Sequence, residues 1–321
     1  MNPAVTATSI DQVLRSVDRL GGPLEIALVA AAALLAVVSL LPDLARWRRP
    51  VLASTAALLA IGEVALAWLH WRLFTLAVVA DPATGQVVGR VAVPLWVESE
   101  KLYVWALLVA VMGLLARDRR DELLPGVGVM VAVLAAGAAL WGRPFSMPLP
   151  SFLGQYGQYL QAFASGIPEA AQGAYVGMES SRQYYYNSWY MWVHPPLLFF
   201  SYGAFAISFV ATMRAAVTRR ASFERLAYHW ARLGYLPLTA GMLLGFPWAI
   251  LAWRGESWWW SGKVNMSIMM WLLYTAYLHG RLYLHRRGMW RWVLALSILS
   301  FIVLVLTYLA TYVVPGAHSY A

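Results

Sequence analysis

Histidine is the residue type of this sequence best suited to bind a metal or to carry a proton near neutral pH. The chain has six histidines and no cysteine, so disulfides and thiolate metal sites are excluded and imidazole nitrogens are the main candidate ligands. His194 lies in the segment WVHPP at residues 192–196, and His318 lies in PGAH at residues 315–318. His194 opens one long apolar run and His318 follows another, so we expect both side chains near a membrane surface. Pro195 and Pro196 can occupy the first turn of a helix, which predicts that His194 sits just outside that helix.

A tryptophan-rich segment at residues 253–263 lies between these two histidines in the sequence and reads WRGESWWWSGK. Indoles can pack against a porphyrin, and the cations Arg254 and Lys263 can pair with its propionates. Neutral imidazoles are good ligands of haem iron, so this set predicts a haem b held between two histidines. The predicted haem-binding residues are His194, His318, Trp253, Arg254, Trp258, Trp259 and Trp260. An interfacial belt of tryptophans beside two ordinary histidines is the alternative interpretation.

A third histidine, His279, lies inside an apolar run close to its inner end. An ionisable group within a membrane span is a functional candidate, so we predict that His279 ligates a membrane-embedded haem. Its partner stays open. His229 lies at a similar depth and is either a ligand or a loop residue, whereas His70 is a poor depth match and is interpreted as an interfacial side chain beside Arg72.

Two other features stand out inside the apolar runs. Glu63 is a charged group within a span, and it can pair with Arg72, pair with a partner protein or belong to a proton route. No other feature of the sequence supports the proton route. Gly241 and Gly245 form a pair of small residues four positions apart, which predicts close packing between two helices.

The composition explains where these residues must sit, because 61% of the 321 residues are hydrophobic and 12% are charged. Soluble domains carry about 25% charged residues, so lipid must solvate part of this surface. Only helices can cross lipid in such uninterrupted apolar runs. We predict an all-α, polytopic bundle of about eight transmembrane helices near 24–42, 51–80, 99–116, 123–142, 190–213, 232–253, 264–284 and 292–314.

Arginines in the short connections set the predicted orientation of the bundle. The connections after spans one, three, five and seven are basic, and the alternate connections are far less so. The basic side is therefore cytoplasmic, and both termini are predicted on the outer side. The net charge of +9 is spread over these short runs, which argues against a nucleic-acid partner. The chain is predicted to be a multi-pass protein of the inner membrane.

We predict a single integral membrane domain over residues 1–321. Within it, residues 1–22 are expected to form an amphipathic segment on the outer membrane surface, with Ile10, Val13 and Val17 on its apolar face. A helical bundle over 23–321 follows, with an outer loop at 143–189 and the tryptophan-rich loop at 253–263. No cleavable signal is expected at the start of the chain.

Several ordered motifs resemble the haem-handling cytochrome c assembly proteins of the CcsA, CcmC and CcmF type. That family has an outer loop of the form Trp-Gly-x-x-Trp-x-Trp-Asp-Pro-x-Glu, followed by a span that ends in Trp-Leu-x-Tyr-x-x-Tyr-Leu-His. The matching segments here are Trp96–Trp105, Arg143–Ser146, Met191–Phe199, Trp253–Trp260, Trp271–His279 and Ala317–Tyr320. The resemblance covers roughly residues 95 to 321.

The resemblance implies specific roles. Two outer histidines of the family hold a haem that is presented to apocytochrome c, and they correspond to His194 and His318. The membrane histidine of the family corresponds to His279, which in the CcsA branch works with a histidine of the partner CcsB. The chain would then be part of a cytochrome c haem lyase or synthetase, with a c-type cytochrome or its apo form as partner.

One part of the family motif is replaced. Where the family has Asp-Pro-x-Glu, this sequence has Ser-Gly-Lys-Val at residues 261–264. Two functions are therefore carried forward. The first is a haem-binding protein of cytochrome c assembly on the outer face, and the second is a haem-bearing or anchoring membrane subunit of a respiratory electron-transfer complex. A haem-free structural subunit is a third alternative.

Overall fold

The computed structural model describes residues 3–116, 120–253, 258–284 and 289–314. These residues are mostly helical, and a single hairpin of two short strands, β1 and β2, lies between the second and third helices. The helices are α1 (Pro3–Leu40), α2 (Arg48–Leu76), α3 (Lys101–Leu115), α4 (Arg120–Gly137), α5 (Pro150–Ala164), α6 (Pro168–Ser181), α7 (Trp189–Thr218), α8 (Ala221–Ala252), α9 (Gly262–Gly280) and α10 (Met289–Val313). The strands are β1 (Val78–Ala80) and β2 (Val87–Arg90).

All eight predicted spans coincide with helices, which confirms the polytopic helical membrane bundle. Among the described residues, six helical segments are long and apolar enough to cross a membrane: Pro3–Leu40, Pro42–Leu76, Asp121–Gly142, Trp189–Thr218, Ala221–Ala252 and Met289–Val313. The other two predicted spans coincide with α3 and α9, which have 15 and 19 residues. The orientation of the bundle stays a prediction.

The chain divides into two compact units. The first comprises the described residues up to Val37, with 50–107 and 131–193, and the second comprises 38–49, the described part of 108–130 and the described residues from His194 onward. Five of the described helices, α1, α2, α3, α4 and α7, contribute residues to both units. The predicted single domain over residues 1–321 stays a prediction.

Helix α1 corrects the interpretation of the amphipathic start of the chain. The described part of the predicted surface segment, from Pro3 onward, and the first span form one continuous helix of 38 residues. The predicted apolar face, Ile10, Val13 and Val17, is buried against protein rather than laid on lipid. Gly21 keeps this helix close to its neighbours, because a Cβ there would overlap the side chain of Phe145.

The segment 143–189 is also more ordered than the predicted outer loop, because it contains α5 and α6. Each of these helices begins with a proline, Pro150 or Pro168. Proline in a loop-like sequence suggests a break, but at the first helical position its missing N–H costs nothing and its fixed φ favours the helix. Pro150 and Pro168 therefore begin two helices inside the segment predicted to be an outer loop.

Glu98 caps the first turn of α5. Its carboxylate accepts hydrogen bonds from the backbone N–H groups of Ser151 (2.7 Å) and Phe152 (3.1 Å), which have no partner within the helix. The residue before the helix, Leu149, has an apolar side chain and cannot supply this cap. Burial raises the pKa of Glu98, and the two N–H groups and the nearby Lys101 only partly oppose that effect.

Two tyrosines of α5 hold the outer edge of strand β1. The hydroxyl of Tyr156 donates to the carbonyl of Val78 and accepts from its N–H, both at 2.9 Å. Tyr159 does the same at Ala80, at 3.0 and 2.8 Å. The tyrosine hydroxyls thus replace a further strand, so backbone groups that would otherwise be unpaired are satisfied.

The second unit is held by aromatic and hydroxyl contacts between its helices. Phe205 of α7 stacks on Tyr274 of α9 with ring centroids 3.7 Å apart. The hydroxyls of Thr212 and Ser297 form a buried hydrogen bond of 2.8 Å between α7 and α10. The indole Nε1 of Trp271 donates to the hydroxyl of a threonine of α8 at 3.0 Å. These contacts fix α7, α8 and α9 around the residues of the candidate site.

Candidate functional site

His194 lies inside α7, five residues after the helix begins at Trp189. The prediction that His194 sits just outside the helix, with Pro195 in the first turn, is wrong. Pro195 falls in the second turn and cannot donate to the carbonyl of Met191. The indole Nε1 of Trp96 donates to that carbonyl at 2.6 Å instead. A side chain from elsewhere in the chain thus satisfies the group that proline leaves free, and the helix can continue through both prolines.

The imidazole of His194 is oriented by the backbone of α8. Its Nδ1 lies 2.6 Å from the carbonyl oxygen of Gly241. A carbonyl can only accept, so Nδ1 carries the proton and Nε2 of the neutral ring carries the free lone pair. This is the arrangement that histidine ligands of metals commonly show, because the hydrogen bond at one nitrogen fixes the direction of the other.

Gly245 makes this approach of the imidazole to α8 sterically feasible. A Cβ at Gly245 would lie 2.8 Å from Cε1 and 3.1 Å from Nδ1 of His194. A Cβ at Gly241 would lie 2.9 Å from Cδ2 of Leu198 on the same helix as His194. The glycine pair therefore does allow close helix packing, as predicted, and it also places the histidine.

The tryptophans fall into two groups near α8. Trp258 stacks on Trp259 with centroids 4.0 Å apart, and Phe246 stacks on Trp259 at 5.3 Å. Trp253 meets Trp248 edge to face at 4.8 Å, and Trp248 lies 5.9 Å from the His194 ring. A series of ring contacts therefore runs from His194 through Trp248 to Trp253.

The exposure of these rings differs. Trp258 is buried, whereas Trp259 is 50% and Trp260 80% exposed. The indole rings of Trp259 and Trp260 are thus available for contact with a ligand or partner, whereas the ring of Trp258 is packed against the protein.

The residues that replace the family's Asp-Pro-x-Glu have structural roles of their own. The Ser261 hydroxyl caps the first turn of α9 by accepting from the N–H of Val264 at 3.4 Å. Gly262 lies against the side chain of Val314, the last described residue after α10. Lys263 lies close enough to His194 for its charge to act on the imidazole. A lysine therefore lies within electrostatic range of His194 in this stretch.

His318 and Arg254 lie outside the described residues, so their predicted part in the site stays a prediction. The contact between Val314 and Gly262 does place the end of α10 next to the start of α9, two residues after Trp260. The chain that leads to His318 therefore leaves its helix beside the tryptophan-rich segment.

His279 lies in the last turn of α9 with an exposed side chain. Its Nδ1 lies 2.8 Å from the carbonyl oxygen of Thr275, so Nδ1 is the donor and Nε2 carries the lone pair. His229 of α8 is exposed as well. The structure therefore presents the imidazole of His279 outward from its own helix rather than into a buried pocket.

One cluster of functional groups was missed at the sequence level. His70 is buried, not interfacial, and its Nε2 lies 2.6 Å from Oε1 of Glu100. Its Nδ1 lies 2.7 Å from the carbonyl oxygen of Val93. Arg72, the predicted neighbour of Glu63, lies over the ring of Trp71. Glu100 is thirty residues from His70 in the sequence. Sequence spacing does not show that a residue of one helix contacts a residue in the turn before the next helix.

The comparison with family models decides what kind of protein this is. The model described as Cytochrome C assembly protein matches residues 95–318, which is most of the chain. The chain belongs to this family. The match spans the histidine-bearing helix α7, the tryptophan-rich segment and α9, so the resemblance read from those motifs is confirmed.

Individual relatives agree with the family assignment. The chain is 36% identical to cytochrome c-type biogenesis protein CycK of Bradyrhizobium diazoefficiens over 136 residues, which are 40% of this chain and 20% of that protein. It is 27% identical to cytochrome c-type biogenesis protein CcmF of Pseudomonas aeruginosa over 92% of this chain and 46% of that protein.

A solved structure titled Cytochrome c Heme Lyase CcmF has the same fold, with a TM-score of 0.57 at 22% identity over 97% of this chain and 47% of that one. The chain thus spans about half the length of CcmF. It is a multi-pass protein of the inner membrane, as predicted.

Proposed function

We propose that this chain binds haem on the outer face of the membrane as part of cytochrome c assembly, and that His194 would be one of the residues that hold it. The observation that carries the proposal is the hydrogen bond from Nδ1 of His194 to the Gly241 carbonyl. It leaves Nε2 as the nitrogen that can bind iron, and Gly245 keeps the imidazole in that position.

The residues around His194 fit a haem. Trp259 and Trp260 offer exposed indole faces for a flat apolar ring, and Lys263 offers a cation for a propionate. Haem, when bound, would supply an iron that imidazole nitrogens can ligate. His318 is the proposed second ligand, because its chain segment follows Val314 beside α9. The protein residues orient the ligand nitrogen and exclude water from one face of the ring.

A second haem, of b type, is proposed at His279. Since His279 presents its Nε2 outward from α9, the other ligand is expected from another polypeptide or from His229. Another membrane subunit, either CcsB-like or part of an electron-transfer complex, would cover this face. A c-type cytochrome or its apo form is the proposed soluble partner of the outer haem.

Lys263 is the observation that favours the second candidate function. It places a cation beside His194 in the stretch where the family motif has carboxylates. A site that keeps its histidine but loses both carboxylates can still hold haem for electron transfer without delivering it. In that case the chain is a haem-bearing or anchoring subunit of a respiratory complex, not a component of a haem lyase.

The experiment compares haem binding in the full-length protein and in a His194→Gly variant, with and without added imidazole. Removing a metal ligand should abolish the outer haem, and free imidazole should restore its low-spin spectrum by filling the vacated space. A His229→Gly variant removes a histidine of α8 that is proposed only for the second haem, so it should keep the outer haem and serves as the control for His194→Gly. Retention of the full low-spin spectrum in His194→Gly without imidazole would refute the assignment of this ligand.

Co-expression with a c-type apocytochrome then separates the two functions. An assembly factor produces covalent haem attachment that depends on His194. An electron-transfer subunit binds haem without producing holocytochrome.

A further inference from the structure

His70, the buried histidine of α2, belongs to a cluster of charged side chains in the first unit. Glu100 is fully buried, and only its Oε1 contacts His70. Glu63 of α2 lies close enough to Glu100 and His70 for both charges to act on it. The Oε2 atoms of Glu63 and Glu100 are buried and have no hydrogen-bond partner among the described residues. Two buried carboxyl oxygens of this cluster thus have no hydrogen-bond donor among the described residues.

The ionisable groups that surround the cluster do not balance its charge. Glu98 and Lys101 belong to the same group of charges, because the charges of Glu100 and Lys101 both affect the carboxyl group of Glu98. Three carboxylates therefore stand against two cations, protonated His70 and Lys101. Among the residues that the structure describes, one negative charge remains uncompensated in a buried region, and an uncompensated buried charge is costly. One more positive charge is needed.

Tyr103 borders the same group. Its hydroxyl is near Glu63 and donates to the Leu58 carbonyl at 3.4 Å. Gly62, the neighbour of Glu63, leaves room for this hydroxyl, because a Cβ there would overlap it. The tyrosine hydroxyl has a single proton, which it donates to a carbonyl, so it does not supply the missing donor.

We propose that Glu63, His70 and Glu100 form a buried proton-binding site, in which one carboxyl group carries a proton at neutral pH. A proton supplies both the missing charge and a donor for a buried oxygen. A metal ion fits less well, because calcium or magnesium needs six or more oxygen ligands, and the cluster offers two free oxygens. Among the described residues, no group of three or more His, Cys, Asp or Glu side chains is arranged so that it could hold a metal ion. The site is independent of the haem proposal.

The test is infrared spectroscopy of the full-length protein in detergent at neutral pH. A buried protonated carboxyl group gives a C=O stretching band that an ionised carboxylate lacks, and burial should make its shift in heavy water slow. Glu63→Gln and Glu100→Gln are each expected to remove or shift this band, since either change alters the shared proton. Glu169→Gln, at an exposed position of α6, is the matched control and should leave the band unchanged.

Three results would overturn the proposal. The first is a wild-type spectrum without such a band at neutral pH, which needs no variant to interpret. The second is a band that persists unchanged in both glutamine variants. The third is a band that disappears when sodium replaces choline in the buffer, since the site would then hold a metal cation. Loss of the band in either variant, with the control unchanged, supports the proton site.

Discussion

The carbonyl oxygen of Gly241 accepts a 2.6 Å hydrogen bond from Nδ1 of His194, so the backbone of one helix selects the tautomer of a histidine on another. The distance depends on Gly245, one turn further along α8, which has no side chain to hold the imidazole away. This contact makes Nε2 the nitrogen available for iron. Haem binding at this position is therefore expected to be sensitive to the α8 backbone.

The first prediction concerns Gly245. In Gly245→Ala the new Cβ would lie 2.8 Å from Cε1 of His194, so the imidazole must move off the Gly241 carbonyl. We expect haem affinity to fall by roughly 10–100-fold, the usual loss when the group that orients a metal ligand is disturbed. Haem titration into the purified variant measures this.

Gly173→Ala on α6 is the control, because a Cβ there meets no atom within 4 Å. Unchanged haem affinity in Gly245→Ala would show that the glycine does not position the histidine.

The second prediction concerns the support of α7. Trp96→Phe removes the indole donor from the Met191 carbonyl, which Pro195 also leaves without a partner. An unsatisfied carbonyl costs about 1–3 kcal/mol, so the variant should unfold at a lower temperature. Thermal denaturation in detergent measures the change.

Trp47→Phe, at an exposed indole, is the comparison for Trp96→Phe. Equal unfolding temperatures in the two variants would count against a role for the Trp96 hydrogen bond.

The predictability of this site differed from residue to residue. The tryptophan-rich segment and His194 were found because their residue types are unusual and adjacent in sequence. The position of His194 inside α7 could not be predicted, because the helix continues past Pro195 with the help of a hydrogen bond from Trp96 to a carbonyl 95 residues away in the sequence. The same holds for His70, whose partner Glu100 is apparent only once α2 and the turn before α3 are packed together.

The fold, too, could be predicted from the sequence only in part. The apolar runs predicted the spans because lipid requires continuous apolar helices. Helices α5 and α6 were missed because Pro150 and Pro168 look like breaks unless the helix is known to begin there. The hairpin was missed because its outer edge is paired with Tyr156 and Tyr159, not with a further strand.

The third prediction concerns the energetics of the buried pair. His70→Ala leaves the fully buried Glu100 without its partner, which should lower the free energy of unfolding by about 3–5 kcal/mol. The double variant His70→Ala with Glu100→Ala removes both groups and should lose less than the sum of the single variants. Chemical unfolding of all three proteins gives the coupling. Strict additivity would mean that the 2.6 Å contact carries no net interaction energy.

The fourth prediction concerns the hairpin edge. Tyr156→Phe removes the hydroxyl that pairs with both backbone groups of Val78, and Tyr159→Phe does the same at Ala80. Amide hydrogen exchange should therefore accelerate mainly at Val78 in the first variant and at Ala80 in the second. Each variant serves as the control for the other. Equal acceleration at both amides in both variants would indicate a general loosening of the hairpin.

The absorption spectrum of the purified full-length protein, with haem quantified as the pyridine haemochrome, tests haem binding at His194 most directly. The wild-type protein is expected to carry low-spin haem, and His194→Ala is expected to lose the outer haem while His229→Ala keeps it. The same haem content and spectrum in His194→Ala as in the wild-type protein would show that His194 does not hold haem.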